Sequence, residues 1–431
     1  MTFQVNMEKT NAQIGDYVEI HFSKLIYEGI LLQSPEDEKS LVLLKIDSGY
    51  NIGFNKKDVL KIKLVRKAHE RGEKREIKKG EGKPNVALII TGGTIASKYD
   101  AKTGGVAPLT DSADLFRFYP EVFEKINIAK VEIPFMKSSE DMDYKDWQKI
   151  SRIAEKLLND GNIKGVIITH GTDTLHYTSA ALSFFLKDLN KPVVLTYSQR
   201  STDRASSDAN LNLQCAALAA ISDIAEVMLV GHGTTDDDFC YAMPGAKTRK
   251  MHTSKRDAFK AINAKPFAKI QWDRIEIISE HKKRNKNKVK YDGKFEEKVA
   301  IVKIYPGQNP DILDYYLKNK YMGLVLEMSG LGHVPTKGRK SWIKKLKEIQ
   351  NKGMIVCATA QTIHGRLNPL IYSNGREILS TGVIYLEDML SETAFVKLGW
   401  VLAKTKNREE VKKLMLTNFA GEISERLEFE D

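Results

Sequence analysis

The hydrophobic pattern changes twice along the chain and divides it into three parts. Between Asn11 and Arg66, apolar residues come in short runs that are broken by glycine, proline and serine. Runs of this kind are typical of β-strands joined by turns. The clearest are Tyr17–Phe22, Tyr27–Leu32 and Leu41–Ile46. The pattern predicts a small all-β barrel, which closes its own sheet edges.

After Pro84 the apolar runs have fewer polar interruptions and alternate with segments of helical periodicity. Strands that are buried on both faces of a parallel sheet have this composition. Apolar residues at helical spacing, from Trp147 to Leu157 and from Ala181 to Leu189, predict helices that cover the sheet. The predicted strands are Val86–Ile90, Gly165–Ile168, Val193–Tyr197 and Glu226–Val230. The second part is therefore predicted to be a doubly wound α/β domain.

A second α/β pattern begins at about residue 297, after a lysine-rich stretch. Its predicted strands are Val299–Ile304, Met322–Glu327 and Met354–Ala358, and its predicted helices are Ile343–Ile349 and Glu392–Leu402. The segment from 70 to 84 has almost no apolar residue and is predicted to be a linker. We therefore expect a β-barrel at 1–69, a linker at 70–84, a catalytic α/β domain at 85–285 and a smaller α/β domain at 297–431.

Composition places the chain among ordinary globular proteins, with 42% hydrophobic and 29% charged residues in a length of 431. The apolar runs are too short to cross a bilayer, and the first residues lack the pattern of a secretory signal. Its three cysteines, Cys215, Cys240 and Cys357, lack the spacing of metal ligands. We expect a cytoplasmic protein without membrane association, disulfide bonds or a metal site.

The chain is basic, with a formal net charge of +11. Much of the excess lies in two runs, Arg71–Lys83 and His281–Lys290. Such a charge attracts a polyanion such as RNA, but it also keeps a surface soluble. Charge alone therefore does not decide between these two interpretations.

Candidate chemistry follows two of the predicted strands. The first cluster, Thr91–Ser97, contains Gly92 and Gly93, which permit a tight turn that presents Thr94 to a ligand. The second, Thr169–Thr174, brings hydroxyls, a carboxylate and free amide groups to the start of a helix. Each has a plain structural alternative, a Gly-Gly turn for the first and a helix N-cap for the second. In a parallel sheet both lie at the carboxyl edge, where ligands bind.

Four segments together carry a family resemblance. TGGTIAS at 91–97, SSEDMD at 138–143, HGTDT at 170–174 and RKMHTSKRDAF at 249–259 follow one another in the order and approximate spacing found in bacterial-type L-asparaginases. The chain resembles that family over most of residues 86–431. The resemblance implies an asparaginase-like α/β fold of two domains, a larger domain with the active site and a smaller C-terminal one, and hydrolysis of a side-chain amide.

The resemblance also implies roles for individual residues. It assigns catalysis to Thr94, Thr172, Asp173 and Lys250, and substrate binding to Gly93, Ser139 and Glu140. Chemistry agrees with these roles, because a threonine hydroxyl becomes nucleophilic only when a base removes its proton, and a desolvated lysine can serve as that base. Asp173 either orients Lys250 or anchors the ammonium group of the substrate. Backbone amides near Thr94 are suited to hold the oxyanion.

Two positions depart from the family or stay open. Glu140 stands where many family members have glutamine, so the sequence leaves the choice between glutamine and asparagine as substrate open. The family also uses a residue on a mobile loop after the first segment. Tyr99 and Thr103 are both candidates, and Gly104 and Gly105 allow that loop to move.

The barrel and linker are additions to an asparaginase of ordinary length. With these additions, GHGTTDDDFCYA at 231–242 and the segments 330–342, 357–369 and 372–389, the chain resembles the D subunits of archaeal glutamyl-tRNA(Gln) amidotransferases. This family releases ammonia from glutamine or asparagine. A separate E subunit activates glutamate on tRNA(Gln) with ATP and magnesium and amidates it, and the complex is a D2E2 assembly around a D homodimer.

The resemblance implies that this chain itself has no intrinsic cofactor. A stand-alone L-asparaginase with an accessory N-terminal domain is the alternative. Direct contact with tRNA, and site residues borrowed from a neighbouring protomer, stay open.

Overall fold

The structure is a computed structural model of the chain, and it describes residues 11–32, 40–46, 51–67, 82–99, 106–108, 122–201 and 207–427. Three sheets of four or more strands organise these residues, one in each part that the hydrophobic pattern predicts. Within the described ranges, no helix is long and apolar enough to cross a membrane.

The first part is an antiparallel sheet of five strands. They are β1 (Tyr17–His21), β2 (Ile26–Leu32), β3 (Leu41–Lys45), β4 (Asn51–Asn55) and β5 (Lys61–Arg66), and their order in the sheet is β4-β3-β2-β1-β5. Along β1 every second residue is buried, so Val18 and Ile20 point into a small core with Val42, Leu44 and Val59. The prediction of a small all-β unit at the start of the chain is confirmed.

An eight-stranded sheet forms the centre of the second part. Its strands are β6 (Asn85–Ile90), β9 (Asn127–Glu132), β10 (Val166–Thr169), β12 (Val193–Thr196), β13 (Val227–His232), β14 (Cys240–Pro244), β17 (Ala268–Ile270) and β18 (Ile275–Ile277). Their order is β18-β17-β14-β13-β12-β10-β6-β9, and the last five of these are parallel. Both faces are covered by apolar cores, as the continuous apolar runs predict.

Smaller elements complete this part. The helices are α1 (Val122–Lys125), α2 (Tyr144–Leu158), α3 (Leu175–Phe185) and α4 (Ala209–Ile221), and the short paired strands are β7 (Ser97–Tyr99), β8 (Val106–Pro108), β11 (Leu186–Lys187), β15 (Thr248–Lys250), β16 (Phe259–Ala261) and β19 (Lys290–Tyr291). Helix α3 ends at Phe185, whereas helical spacing predicted it as far as Leu189. The next two residues pair instead with β19, about a hundred residues further along the chain.

The third part has a parallel sheet of four strands in the order β20-β21-β22-β23. These are β20 (Val299–Lys303), β21 (Gly323–Met328), β22 (Ile355–Ala360) and β23 (Ile384–Tyr385), with helices α5 (Ile312–Lys318), α6 (Ile343–Asn351), α7 (Ser373–Leu379), α8 (Ser391–Leu402) and α9 (Arg408–Leu416). The three predicted strands and two predicted helices of this part are confirmed, with ends that differ by a few residues.

The two α/β units share a hydrophobic core. Phe184 of α3 stacks on Trp400 of α8 with 5.6 Å between ring centroids, and one buried cluster includes residues of both units. The indole nitrogen of Trp400 donates a hydrogen bond to the carbonyl of Asp292, in the segment that joins the units. Helix α3 begins at the carboxyl edge of the large sheet, so the third part supports the helix that follows the second polar cluster.

Candidate active site

The turn after β6 presents Thr94 at the carboxyl edge of the large sheet. Gly92 and Gly93 have φ angles of +121° and +82°, a region that side chains disfavour. A Cβ atom on Gly93 would lie 2.4 Å from the amide nitrogen of Gly171, and one on Gly92 would lie 2.3 Å from the carbonyl oxygen of Lys137. Both glycines are therefore needed for this turn. Thr94 follows them at the start of a single 3-10 turn and is half-buried.

Backbone hydrogen bonds join this turn to two other segments. The amide and the hydroxyl of Thr91 both donate to the carbonyl of Thr169, at 3.2 and 2.8 Å. The carbonyl of Thr91 accepts from the amide of Lys137 at 3.0 Å. Lys137 Nζ in turn binds both carboxylate oxygens of Asp146 at 2.8 and 2.9 Å, which ties the segment to α2. Three of the four sequence segments thus meet at one edge.

Ser139 is buried and organises the start of α3. Its hydroxyl oxygen accepts hydrogen bonds from the amides of Asp173 at 3.1 Å and Thr174 at 3.4 Å. The hydroxyl of Thr174 donates back to the carbonyl of Ser139 at 2.5 Å. The first amides of a helix have no partner within the helix, so Ser139 serves here as a cap from a distant segment. The neighbouring Glu140 is exposed.

Lys250 reaches the second threonine from the fourth segment. Its ammonium nitrogen donates to Thr172 Oγ1 at 2.8 Å and lies 2.6 Å from Asp173 Oδ1. The Lys250 side chain is 11% exposed, whereas that of Asp173 is 62% exposed. The carboxylate therefore lies at the solvent side of the group and the amine at the protein side.

The four segments converge at one edge of the sheet. Gly93 touches Gly171, and the residues that follow them are Thr94 and Thr172, the second of which binds Lys250. A hydroxyl, a second hydroxyl, an amine and a carboxylate are therefore brought together at the carboxyl edge of a parallel sheet. Groups of this kind can activate a hydroxyl for attack on a carbonyl.

Comparison with known proteins accounts for all three parts of the chain. Residues 85–283 match "Asparaginase, N-terminal", residues 298–415 match "Glutaminase/Asparaginase C-terminal domain", and residues 12–65 match "GatD N-terminal domain". The D subunit of the glutamyl-tRNA(Gln) amidotransferase from Pyrococcus furiosus is 46% identical over 428 residues, which cover 97% of this chain and 96% of that protein. The chain belongs to this family of amidotransferase D subunits. The Pyrococcus abyssi member is 45% identical over 98% of both chains.

Asparaginases are among the solved structures similar to this member of the D-subunit family. The L-asparaginase from Thermococcus kodakarensis matches with a TM-score of 0.70 and 29% identity, and covers 79% of this chain and 100% of its own. L-asparaginase I from Vibrio cholerae matches with a TM-score of 0.68 and 27% identity, over 79% and 99%. The asparaginase-like α/β fold is thereby confirmed. The D-subunit relatives, in contrast, match nearly the whole chain.

One residue that sequence reasoning missed supports the second segment of this D-subunit chain. His170 is fully buried, and burial lowers its pKa to about 4, so the ring is neutral. Nδ1 donates to the carbonyl of Gly171 at 2.7 Å, since a carbonyl only accepts, and Nε2 accepts from the hydroxyl of Thr178 at 2.9 Å. The imidazole thus fixes the peptide that precedes Thr172. A histidine directly after a buried strand was the available signal.

The sequence offers two loop candidates, Tyr99 and Thr103, after the first segment. The backbone of Tyr99 pairs with Val106 where strands β7 and β8 lie side by side. Thr103 lies outside the described residues. The roles of Thr94, Thr172, Asp173 and Lys250 in catalysis, and those of Gly93, Ser139 and Glu140 in binding, therefore remain assignments from resemblance that the contacts support.

Proposed function

We propose that this chain hydrolyses the side-chain amide of glutamine or asparagine, with Thr94 as the nucleophile, and supplies the ammonia for a tRNA-dependent amidotransferase. A partner E subunit uses that ammonia, with ATP and magnesium, to convert glutamyl-tRNA(Gln) into glutaminyl-tRNA(Gln). The bond from Lys250 to Thr172, one residue beyond the contact between Gly93 and Gly171, is the observation that carries the proposal. This bond supports Lys250 as the group that receives the proton, because it joins the lysine to the residue that follows Gly171.

In the proposed mechanism, the hydroxyl oxygen of Thr94 attacks the amide carbonyl carbon, and its proton passes through Thr172 to Lys250. This step requires that the Lys250 ammonium group first gives up a proton, so that its nitrogen can accept one. Backbone amides at the turn stabilise the oxyanion, with each such donor worth roughly 2.7–4 kcal/mol. The tetrahedral intermediate collapses, its nitrogen takes up the proton, and ammonia leaves. Water then hydrolyses the ester on Thr94 and releases the amino-acid product.

Binding of the amino-acid end of the substrate uses the residues around the start of α3. Ser139 Oγ already accepts from two amides, so its hydroxyl hydrogen is available to the substrate carboxylate. The exposed carboxylate of Asp173 holds Lys250 and faces the solvent side, where it can also bind the substrate ammonium. Glu140 adds a negative charge beside Ser139, a feature that sets this site apart from one with glutamine there.

The N-terminal unit favours the amidotransferase over the stand-alone L-asparaginase. The amidotransferase subunit from Pyrococcus furiosus matches 97% of this chain, and the match therefore extends into the N-terminal unit. The asparaginase from Thermococcus kodakarensis matches over its whole length but covers only 79% of this chain. We propose the division 1–69, 70–84, 85–285 and 297–431 for the barrel, the linker and the two α/β domains. We also propose a cytoplasmic D2E2 assembly around a homodimer of this chain.

Ammonia release by the full chain, alone and with the E subunit, ATP and glutamylated tRNA, tests this function. We expect glutaminyl-tRNA only when both subunits are present, and faster ammonia release when the charged tRNA is added. Thr94→Ala should abolish release. Thr235→Ala, which removes an exposed threonine hydroxyl at the same edge of the sheet, should leave it unchanged. Strong ammonia release by the isolated chain that neither partner raises would support the stand-alone asparaginase.

A further inference from the structure

The hairpin that carries Lys250 is not part of the large sheet. Among the described strands, β15 pairs only with β16, through Thr248–Ala261, Arg249–Lys260 and Lys250–Phe259. The backbone hydrogen bonds of the eight-stranded sheet therefore do not fix the place of Lys250 relative to Thr172. Contacts outside the sheet must do so.

The C-terminal unit supplies such contacts just before the hairpin. Lys247 Nζ lies 2.5 Å from Asp388 Oδ2, and both side chains are fully buried. The other carboxylate oxygen of Asp388 accepts from the amide of Ser424 at 3.0 Å. The carbonyl of Ala246 accepts from the hydroxyl of Thr393 at 2.8 Å. The start of the hairpin is thus bonded to residues just before and within the first turn of α8.

A further contact involves the residue adjacent to Lys250. Arg249 Nε lies 3.1 Å from Glu392 Oε1, on α8. Successive side chains of a strand point to opposite faces, so Arg249 extends to the C-terminal unit while Lys250 extends to Thr172 and Asp173. Because Arg249 and Lys250 are adjacent in the strand, a contact that holds the side chain of Arg249 also restricts the position of Lys250.

Burying the carboxylate of Glu392 costs free energy of desolvation, and an ion pair offsets part of that cost. Burial raises the pKa of its carboxyl group, and the positive charge of Arg249 opposes that rise. His176 also lies near this carboxyl group, with its Nε2 3.9 Å from Oε1. Burial, followed by the charge of Arg249, lowers the pKa of His176 to about 3, so that the ring is neutral. Arg249 is therefore the cation that pairs with this carboxylate.

We propose that the ion pair between Arg249 and Glu392 positions Lys250 for catalysis, so that the C-terminal unit sets the geometry of a site that lies on the larger unit. Arg249 and Glu392 touch no substrate in this scheme and are positioning residues. The inference rests on the proposed function, because it assumes that Lys250 acts on the proton of the nucleophile. It goes further in assigning a catalytic purpose to the contact between the two α/β units.

The experiment compares Arg249→Ala, Glu392→Ala, Glu392→Gln and the double Ala variant in the full chain assembled with its E subunit. We expect either single Ala variant to lower kcat for ammonia release by roughly 10- to 100-fold, the range for a misplaced catalytic group. KM should change by less than about twofold, since Ser139 and Asp173 are untouched. The double variant should be no slower than the single ones, because the residues act as a pair. Glu392→Gln keeps an acceptor for Arg249 and should recover most of kcat.

A readout that does not need activity is hydrogen exchange of the amides in residues 246–262. We expect faster exchange there in Arg249→Ala, with little change in the melting temperature. Lys404→Ala is the matched control, because Lys404 also joins the C-terminal unit to the rest of the chain, through Asp292, without touching the hairpin. It should change neither kcat nor exchange in 246–262.

Free guanidinium added to the Arg249→Ala variant shows whether the contact must be attached to the hairpin or whether a positive charge near Glu392 is sufficient. A positioning contact requires a side chain joined to the hairpin, so guanidinium should not restore kcat, and full restoration would overturn the proposal. Unchanged kcat and unchanged exchange in an active Arg249→Ala complex would overturn it as well, with the proposed function intact. Failure of the wild-type complex to release ammonia, or full activity of Lys250→Ala, would instead remove the proposed function and this inference with it.

Discussion

At the scale of single residues, the clearest feature of the site is a pair of buried histidines that stay neutral. His170 holds the peptide of Gly171 through Nδ1, and His176 lies near the carboxylate of Glu392. Burial lowers the pKa of His170 to about 4, and burial with the charge of Arg249 lowers that of His176 to about 3. His170 begins the segment that carries Thr172, and His176 lies just after that segment on α3, so stability and the shape of the site depend on the same rings.

A pH dependence of stability follows from these pKa values. In the unfolded chain a histidine takes up a proton near its ordinary pKa of 6.5, whereas the folded chain keeps both rings neutral down to about pH 4. The unfolded state therefore binds more protons between these values, and the free energy of unfolding falls as the pH falls from about 6.5 to about 4. Each histidine contributes a slope of roughly 1.4 kcal/mol per pH unit in this window.

Urea denaturation at pH 7 and pH 5 measures this slope. His170→Asn should be less stable at pH 7 but lose less stability on going to pH 5 than the wild type does. His364→Asn, which replaces an exposed histidine, should keep the slope of the wild type. An unchanged slope in His170→Asn would contradict the neutral assignment.

The meeting of the candidate site residues could be predicted from sequence to the extent that they lie in local segments. Gly93, Thr94, Thr172 and Asp173 all stand directly after buried strands, and motif order identified Lys250 as well. The bonds from Ser139 to Asp173 and from Arg249 to Glu392 join residues that are far apart in the chain, so no local pattern shows them. Long-range partners of this kind emerge only when the segments are folded together.

At the scale of elements, the two-glycine turn after β6 is the part that tolerates least change. Gly93 has a positive φ, which disfavours any residue with a side chain. It also lies against the peptide of Gly171, so an added methyl group would overlap with that peptide. The contact fixes the distance between the turn and the start of α3. Thr94 and Thr172 are the next residues on each side.

Gly93→Ala should therefore abolish ammonia release and destabilise the fold. The left-handed backbone alone costs about 1–3 kcal/mol for a residue with a side chain, and the overlap with Gly171 adds to this. Chemical denaturation and the ammonia assay measure the two effects. Gly161→Ala is the control, because a Cβ atom there meets open space, and it should stay within about 0.5 kcal/mol of the wild type with full activity. An active Gly93→Ala variant would show that the close contact is not required.

Strands were predicted better than helix ends, for a physical reason. Buried parallel strands are continuous apolar runs, and such runs are visible in the sequence. The end of α3 was misplaced, because Leu186 and Lys187 are both helix-compatible in isolation but pair with Lys290 and Tyr291. Asp188 then has a φ of 57°, which ends any helical continuation. Tertiary pairing overrides local propensity here.

At the scale of the whole molecule, the three parts differ in how they are joined. The first unit has its own small core of Val18, Ile20, Val42, Leu44 and Val59. The two α/β units share one buried cluster and the ion pair of Lys247 and Asp388. Breaking such a buried pair by removing one partner typically costs about 3–5 kcal/mol. We therefore expect the α/β units to unfold together and the N-terminal unit to be separable.

Removal of residues 1–69 tests that separation. The truncated chain should release ammonia at a rate within about threefold of the full chain, because every proposed catalytic group lies after residue 90. It should lose much of the transfer of ammonia to glutamyl-tRNA(Gln) when combined with the E subunit, since the added unit is what distinguishes the chain from an asparaginase. Ammonia release and glutaminyl-tRNA formation are measured side by side. Full transfer by the truncated chain would contradict a role for this unit in the complex.

The most direct test of the central claim is to find which residue carries the acyl group during turnover. The complex is quenched with acid while it hydrolyses glutamine, digested, and its peptides are mapped by mass spectrometry. We predict a glutamyl ester on Thr94 that is absent from Thr94→Ala and scarcer in Lys250→Ala, in which the group that receives the proton of the nucleophile is missing. An ester on Thr172 or on another residue, or turnover by Thr94→Ala, would contradict the account.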